Sequence, residues 1–294
     1  VSFLYVCNTS SDNISKINLA SFKEEIKIPL GMDKINKIGP HDLCVYNDML
    51  LSANIYSSSL SFISLNEDKE TENYFIGMHC NGVKVWQDNA YVICGETNSL
   101  FLFSLTKKKI IEEIPCGIFP HCISICEKNN LAVVANMHSE SITLIDLSSK
   151  ECIKNIKVQS YPTKAIFSED GRYILVCESK MGLNKRGTLN IIDLKTLESL
   201  KRIEAGSCPV DIFLDGKYCF VSNFADGTLS IIDVNNRKEE KRIKIGGMPR
   251  GIVKSGKYIY AGDNYNNVLV QVDLIKESKK VITIGGEPTG MTLC

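Results

Sequence analysis

The chain has 294 residues, 44% of them apolar and 23% charged, the balance of a soluble globular protein able to bury a full core without staples. Lys plus Arg number 34 and Asp plus Glu 34, so the formal net charge is zero. That balance lacks the basic surplus on which nucleic-acid binders and cationic membrane binders rely, and neither class of partner is expected.

The first predicted element is a strand, "SFLYVCN", running from Ser2 to Asn8, and a polar turn then opens the alternating segment "DNISKINL". This second segment recurs along the chain as "SSLSFISL", "NSLFLFSL", "ESITLIDL", "GTLNIIDL", "GTLSIIDV" and "NVLVQVDL". Its first apolar residues are Ile14, Leu60, Leu100, Ile142, Leu189, Leu229 and Leu269, at spacings of 46, 40, 42, 47, 40 and 40. Before each anchor stands a run such as "LAVVAN" or "YIYAGD", and after it a charged run that turns apolar, such as "KEEKRIKIGG". A Gly-x-x-Pro turn then opens another strand, as in "GSCPVDIFL", "GGMPRGIVK" and "GGEPTGMTL". Each segment is short, alternating or β-branched, and bounded by Gly, Asn, Asp or Pro. No stretch holds a 3.6-residue apolar period long enough for a core helix.

Four short antiparallel strands in about 40 residues make one propeller blade. The predicted fold is therefore all-β, a seven-bladed β-propeller of four-stranded antiparallel blades, occupying residues 1–294 as one domain. Strand A opens at the Gly-x-x-Pro turn nearest the axis, strand B ends in Asn or Asp, strand C holds the anchor, and strand D is the charged outer run. The N-terminus begins with a strand B that lacks a strand A, and the C-terminus ends with a strand A, "EPTGMTLC", that lacks a strand B. Pairing residues near 288–293 with residues near 2–7 closes the ring and removes two raw sheet edges.

Twelve cysteines fall mostly inside strand-like runs, among them Cys7, Cys94, Cys177 and Cys219. There is no CxxC pair, the closest spacing being Cys122 to Cys126. They read as free thiols of a reducing cytoplasm. No signal peptide or long apolar run is present, although a leader removed upstream of Val1 is compatible with a chain that starts almost inside a strand.

The "YVCN" of Tyr5 to Asn8, the "FVSN" of Phe220 to Asn223, the "GTLSIIDV" run and the Gly-x-x-Pro turns resemble the YVTN-type, YncE-like propeller repeat family across the whole chain. The resemblance implies the fold. It leaves the activity open, because propellers of this kind include binding proteins, surface proteins, lactonases and lyases.

Antiparallel order places the B–C and D–A connections on one face and the A–B and C–D turns on the other. The second face is hydrophilic and of mixed charge, as in "TKKK", "EDGR" and "NNRKEE". The first carries all four histidines. His41 and His121 follow the prolines of strand A, His79 precedes Cys80 in a proline position, and His138 lies in a B–C loop. The residues after the proline positions (His41, Asn81, His121, Thr163, Val210, Arg250 and Thr289) are expected to ring the channel mouth. Strand B ends over the same face with Asn8, Asn54, Asn136, Asn223 and Asp263, where the Asn side chains are expected to hydrogen-bond their own turns, and with Glu178 in the fifth B–C loop. Two insertions, "PLGMDKINKIGP" and "ESKMGLNKRGT", extend this face.

A non-catalytic binding or scaffold propeller is the expected function, taking a protein partner or a small polar or anionic ligand at the mouth through His41, His79, Asn81, His121, His138, Glu178, Arg250 and Asp263. The competing expectation is a lactonase or carbon–oxygen lyase, with His41 or His121 as general base, Glu178 or Asp263 as its partner and Arg250 as an anion clamp. A divalent metal would need His41, His79, Cys80, His121 and Cys122 to converge, and no spacing enforces that, so no metal or other cofactor is expected. Trp86, the one tryptophan, reads as core or inter-blade packing.

Overall fold

The computed structural model describes residues 2–31 and 36–294. Among these, 28 strands form seven four-stranded antiparallel sheets, joined by short turns and two single-turn 3₁₀ segments. Blade 1 consists of strand A at Pro288–Leu293, B at Phe3–Asn8, C at Asn13–Asn18 and D at Lys23–Pro29. The remaining blades follow in chain order, with strands A at Pro40–Tyr46, Cys80–Trp86, Pro120–Cys126, Pro162–Phe167, Pro209–Asp215 and Pro249–Ser255. Closure occurs where the unmatched ends predict it. Leu4 pairs with Leu293, Tyr5 with Thr292 and Val6 with Met291, and Phe3 and Cys294 exchange backbone hydrogen bonds of 2.8 and 2.9 Å.

Every anchor of the repeat, from Ile14 to Leu269, is completely buried. Each such burial contributes about 1.5–3 kcal/mol. The core is not one mass but a set of layers between neighbouring sheets: Leu51, Ala53, Leu60 and Phe62 of blade 2 pack on Val83, Val92, Phe101 and Phe103 of blade 3. Trp86 lies edge-on to Tyr91, 6.4 Å between centroids, beside the layer shared by blades 3 and 4. The strands D, rich in Lys and Glu, form the outer edges, where charge discourages edge-to-edge pairing.

The Asn residues that end strand B, expected to hydrogen-bond their own turns, bond across the sheet instead, and the Oδ1 atoms of Asn8 and Asn136 have no partner among the described residues. Asn54 donates from Nδ2 to Ser59 and Ser61, Asn136 to Ser141 and Thr143, and Asn223 to Thr228 and Ser230. Each amide therefore ties strand B to the hydroxyls of strand C, a pattern not evident from the turn chemistry alone. The insertion "PLGMDKINKIGP" falls partly outside the described residues; of the rest, Lys37 pairs with Asp12 at 3.1 Å. No helix among the described residues is long and apolar enough to cross a membrane.

Candidate functional site at the channel mouth

The register of strand A against strand B slips once in every blade, at the residue after the proline position. In blade 2, Pro40 faces Asn54 and Asp42 faces Ala53, so His41 is the extra residue of a bulge. A bulge bends the strand and re-aims the side chain it carries. Repeated around the ring, it turns His41, Asn81, His121, Thr163, Val210, Arg250 and Thr289 into the channel, where they line a cavity of about 50 Å³.

From blade 2 to blade 6 these side chains stitch each strand A to the next. His41 Nδ1 bonds to the carbonyl of Asn81 at 2.7 Å, Asn81 Nδ2 donates to Pro120 at 2.8 Å, His121 Nδ1 bonds to Thr163 at 2.9 Å, and Thr163 donates to Pro209 at 3.0 Å. A carbonyl only accepts, so both imidazoles carry their proton on Nδ1. The His41 Nε2 lone pair is then free to accept from Arg250 Nη2, which lies 3.0 Å away. The two imidazole rings meet edge to face, 5.5 Å apart. Burial, Arg250 and His121 hold His41 well below its ordinary pKa, and burial and Arg250 hold His121 down to about 4. Both rings are neutral at physiological pH. His121 Nε2 has no hydrogen-bond partner among the described residues, and its ring borders the cavity.

One tier deeper the channel is charged but compensated. Asp42 pairs with Lys84 at 3.2 Å and accepts from Val83 N–H, while Asp211 pairs with Lys164 at 2.9 Å and accepts from Ile252 N–H. Burial alone would raise the Asp42 carboxyl, but Lys84 and Lys164 hold it below the usual range. With these four charges matched and the His41 and His121 rings neutral, the Arg250 cation addresses the mouth. Burial lowers its pKa, opposed by the negative charges of Asp211 and Glu287.

Above Arg250 the mouth divides into two depressions that share His121, Met137 and Arg250. The polar one, about 280 Å³, is bordered by His79, Asn81, Asn264 and Glu287. The apolar one, about 300 Å³, is walled by Met137, Met181, Val210 and Phe224. On the rim, His79 lies 5.2 Å from Phe119, Phe119 stacks on His138 at 4.5 Å, and His138 meets Tyr161 edge-on at 6.0 Å. Tyr56, Met78, Ile118, Met181, Leu183 and Tyr265 are exposed on the same loops.

The structure brings together His41, His79, Asn81, His121 and Arg250, and places His138 on the exposed rim beside them. It does not bring Glu178 or Asp263 to the cavity. Glu178 is fully buried within blade 5, accepting from Gln159 N–H, Thr188, Asn190 and Arg202. Asp263 caps its own corner, accepting from Met248, Tyr265 and Asn266. The pairing of a channel histidine with either carboxylate is therefore not assembled. Among the described residues no group of three or more His, Cys, Asp or Glu is placed to hold a metal ion. Sequence position alone reveals neither the second tier (Asp42, Lys84, Lys164, Asp211) nor, beyond Val210, the apolar wall, whose residues look like ordinary strand alternation and loop.

The family model for the cytochrome D1 heme domain matches residues 126–251, less than half of the chain. No curated protein matches the sequence. Among solved structures, the chain is similar to hydrazine synthase of Kuenenia stuttgartiensis (TM-score 0.79, 17% identity, covering 96% of this chain and 92% of that one). It is also similar to a functionally unknown protein from Desulfotomaculum acetoxidans (TM-score 0.82, 14% identity, 99% and 98% covered). A third similar structure is the dihydro-heme d1 dehydrogenase NirN in complex with DHE (TM-score 0.70, 13% identity, 99% and 74% covered). At these identities the likeness is one of fold, and it identifies the chain as a propeller.

Proposed function

We propose that the chain is a non-catalytic binding propeller that takes a carboxylate-bearing ligand with an apolar body into the channel mouth. The observation that carries this reading is the Arg250 guanidinium, held by His41 and left with further N–H donors beside an apolar wall. A guanidinium matches a carboxylate in plane and spacing, and desolvation strengthens such a pair. The neutral His121 Nε2 adds an acceptor for a second polar group on the ligand. His41 is unsuited to act as a base, because Arg250 occupies its lone pair.

Octanoate and octanol serve as matched probes in titration calorimetry. One-to-one saturable binding of octanoate, at least tenfold tighter than octanol, is the expected result. Equal affinities, or no saturation by either, reject the anionic pocket.

A tetrapyrrole is a special case of this ligand class, and one atom favours it. His121 Nε2 is a neutral, open imidazole nitrogen of the kind that ligates heme iron. The matched family is described as a heme domain, and one similar structure was solved with DHE. The residues fit such a group: His121 would hold the iron, Arg250 a peripheral carboxylate, and Met137, Met181 and Phe224 the macrocycle face. The bound iron would supply electron-transfer chemistry. The segment matched by the family model includes Arg250 and that apolar wall but not His121. Hemin titration followed by its main visible band separates the cases: a band shift abolished by His121→Ala supports the tetrapyrrole, and an unshifted band rejects it.

A further inference from the structure

In six blades strand A opens with proline, facing the polar residue that ends strand B. Pro40 faces Asn54, Pro120 faces Asn136, Pro162 faces Glu178, and the other three follow suit. Blade 3 replaces both members at once, with Cys80 in the proline position and Cys94 directly opposite. The backbone bond flanking this position recurs around the ring; in blade 3 Gly95 N–H donates to the His79 carbonyl at 2.8 Å. That bond makes Cys80 and Cys94 a non-hydrogen-bonded antiparallel pair, for which Cα atoms lie about 4.5 Å apart and side chains approach most closely. This spacing lies inside the range a disulfide requires. The two sulfurs are 3.2 Å apart and both residues are completely buried. The Cys80 thiol also donates to the Gly77 carbonyl at 3.2 Å, so the pair is aligned by a turn that packs against both sulfurs.

We propose that Cys80 and Cys94 form a disulfide site that staples the corner of blade 3 beneath the channel mouth. The oxidant is a low-molecular-weight disulfide. One cysteine, as its thiolate, attacks it and expels a thiolate, giving a mixed disulfide, and the second cysteine displaces the remaining half. In balance, two S–H bonds are lost, one protein S–S bond forms, and the oxidant leaves as two thiols carrying the two electrons and two protons. Hydrogen bonding to Cys80 and burial push the Cys94 thiol far above its ordinary range, so exchange proceeds while the chain folds or when this corner opens. Cys80 stands between His79 and Asn81. The Asn81 carbonyl accepts from His41, and its Oδ1 is bonded to His79 at 2.9 Å. The staple therefore fixes the backbone that orients two mouth histidines, whatever ligand the mouth takes.

The test uses the full chain incubated with oxidised glutathione, unfolded in an alkylating reagent and cleaved after Lys84. The expected product joins the Cys80 and Cys94 peptides, is lighter by about two hydrogens than the unlinked pair, and separates on reduction. The oxidised chain should unfold at a higher urea midpoint than the reduced chain. The double variant Cys80→Pro/Cys94→Asn, which restores the pair used in blades 2 and 4, should fold and show neither the joined product nor the midpoint difference. Full alkylation of both cysteines in the oxidised chain, or joining of either to a different cysteine, overturns the proposal.

Discussion

Arg250 and His41 stand 209 positions apart in the chain, yet the guanidinium donates to the imidazole Nε2 at 3.0 Å across the channel. The contact exists because ring closure sets the strand A of blade 7 two places from that of blade 2, and because a bulge aims both side chains inward. The His41 bond to Asn81 fixes the tautomer that makes it possible. A cation, a held imidazole and a free one thus meet at a single mouth.

The close approach of the inner strands makes a first prediction. A Cβ added to Gly251 would stand 1.9 Å from the Thr289 carbonyl oxygen, and one on Gly290 would stand 2.4 Å from that of His41. Backbone cannot yield as a side chain can. Gly251→Ala should lower stability by about 3 kcal/mol or more, at the upper end of overpacking costs. Gly82→Ala, whose Cβ would meet side chains alone, Ile93 at 3.2 Å and Asp42 Oδ2 at 3.5 Å, should cost less than half as much. Urea midpoints compare the two, and equal losses would contradict the packing described.

A second prediction concerns acid. His41 and His121 are neutral in the fold, with His121 held down to about 4, whereas an unfolded histidine titrates near 6.5. Between those values the unfolded chain binds more protons, so unfolding gains ground as pH falls. The contribution of these rings is complete above about pH 6.5 and is lost progressively toward pH 4, on the order of 3 kcal/mol for His121 before allowance for the water that reaches it. Urea midpoints from pH 7 to 4 should fall less steeply for His121→Gln than for the parent. Parallel curves would show that the ring is not held neutral.

Glu178 supplies a third. Its carboxylate is consumed by Thr188, Asn190, Arg202 and the Gln159 N–H. Glu178→Gln should destabilise the chain by about 1–3 kcal/mol, since the charge that pairs with Arg202 is lost and one oxygen that accepts several bonds becomes a donor. Octanoate affinity, measured on the folded variant, should stay within twofold of the parent. A larger drop in affinity than the fall in folded fraction explains would return Glu178 to the site.

Blade number, anchors and closure were legible because each is a local pattern repeated seven times, with ends that complement one another. The placement of His41, His121 and Arg250 was legible for the same reason, since the position after the proline is equivalent in every blade. The Arg250–His41 bond was not, because it joins two blades that are not neighbours. Glu178 and Asp263 read as site residues by position, but position does not reveal that neighbouring donors already consume them. Cys80 and Cys94 read singly as small buried hydrophobes, and only the register shows them as one pair.

The central claim is that Arg250 makes the mouth an anion site. Calorimetric titration of octanoate into the parent chain and into Arg250→Gln, both shown to be folded, tests it most directly. Removal of a buried carboxylate partner costs about 2–5 kcal/mol of binding, so the account predicts at least a thirtyfold weaker affinity for Arg250→Gln. Unchanged affinity would contradict it.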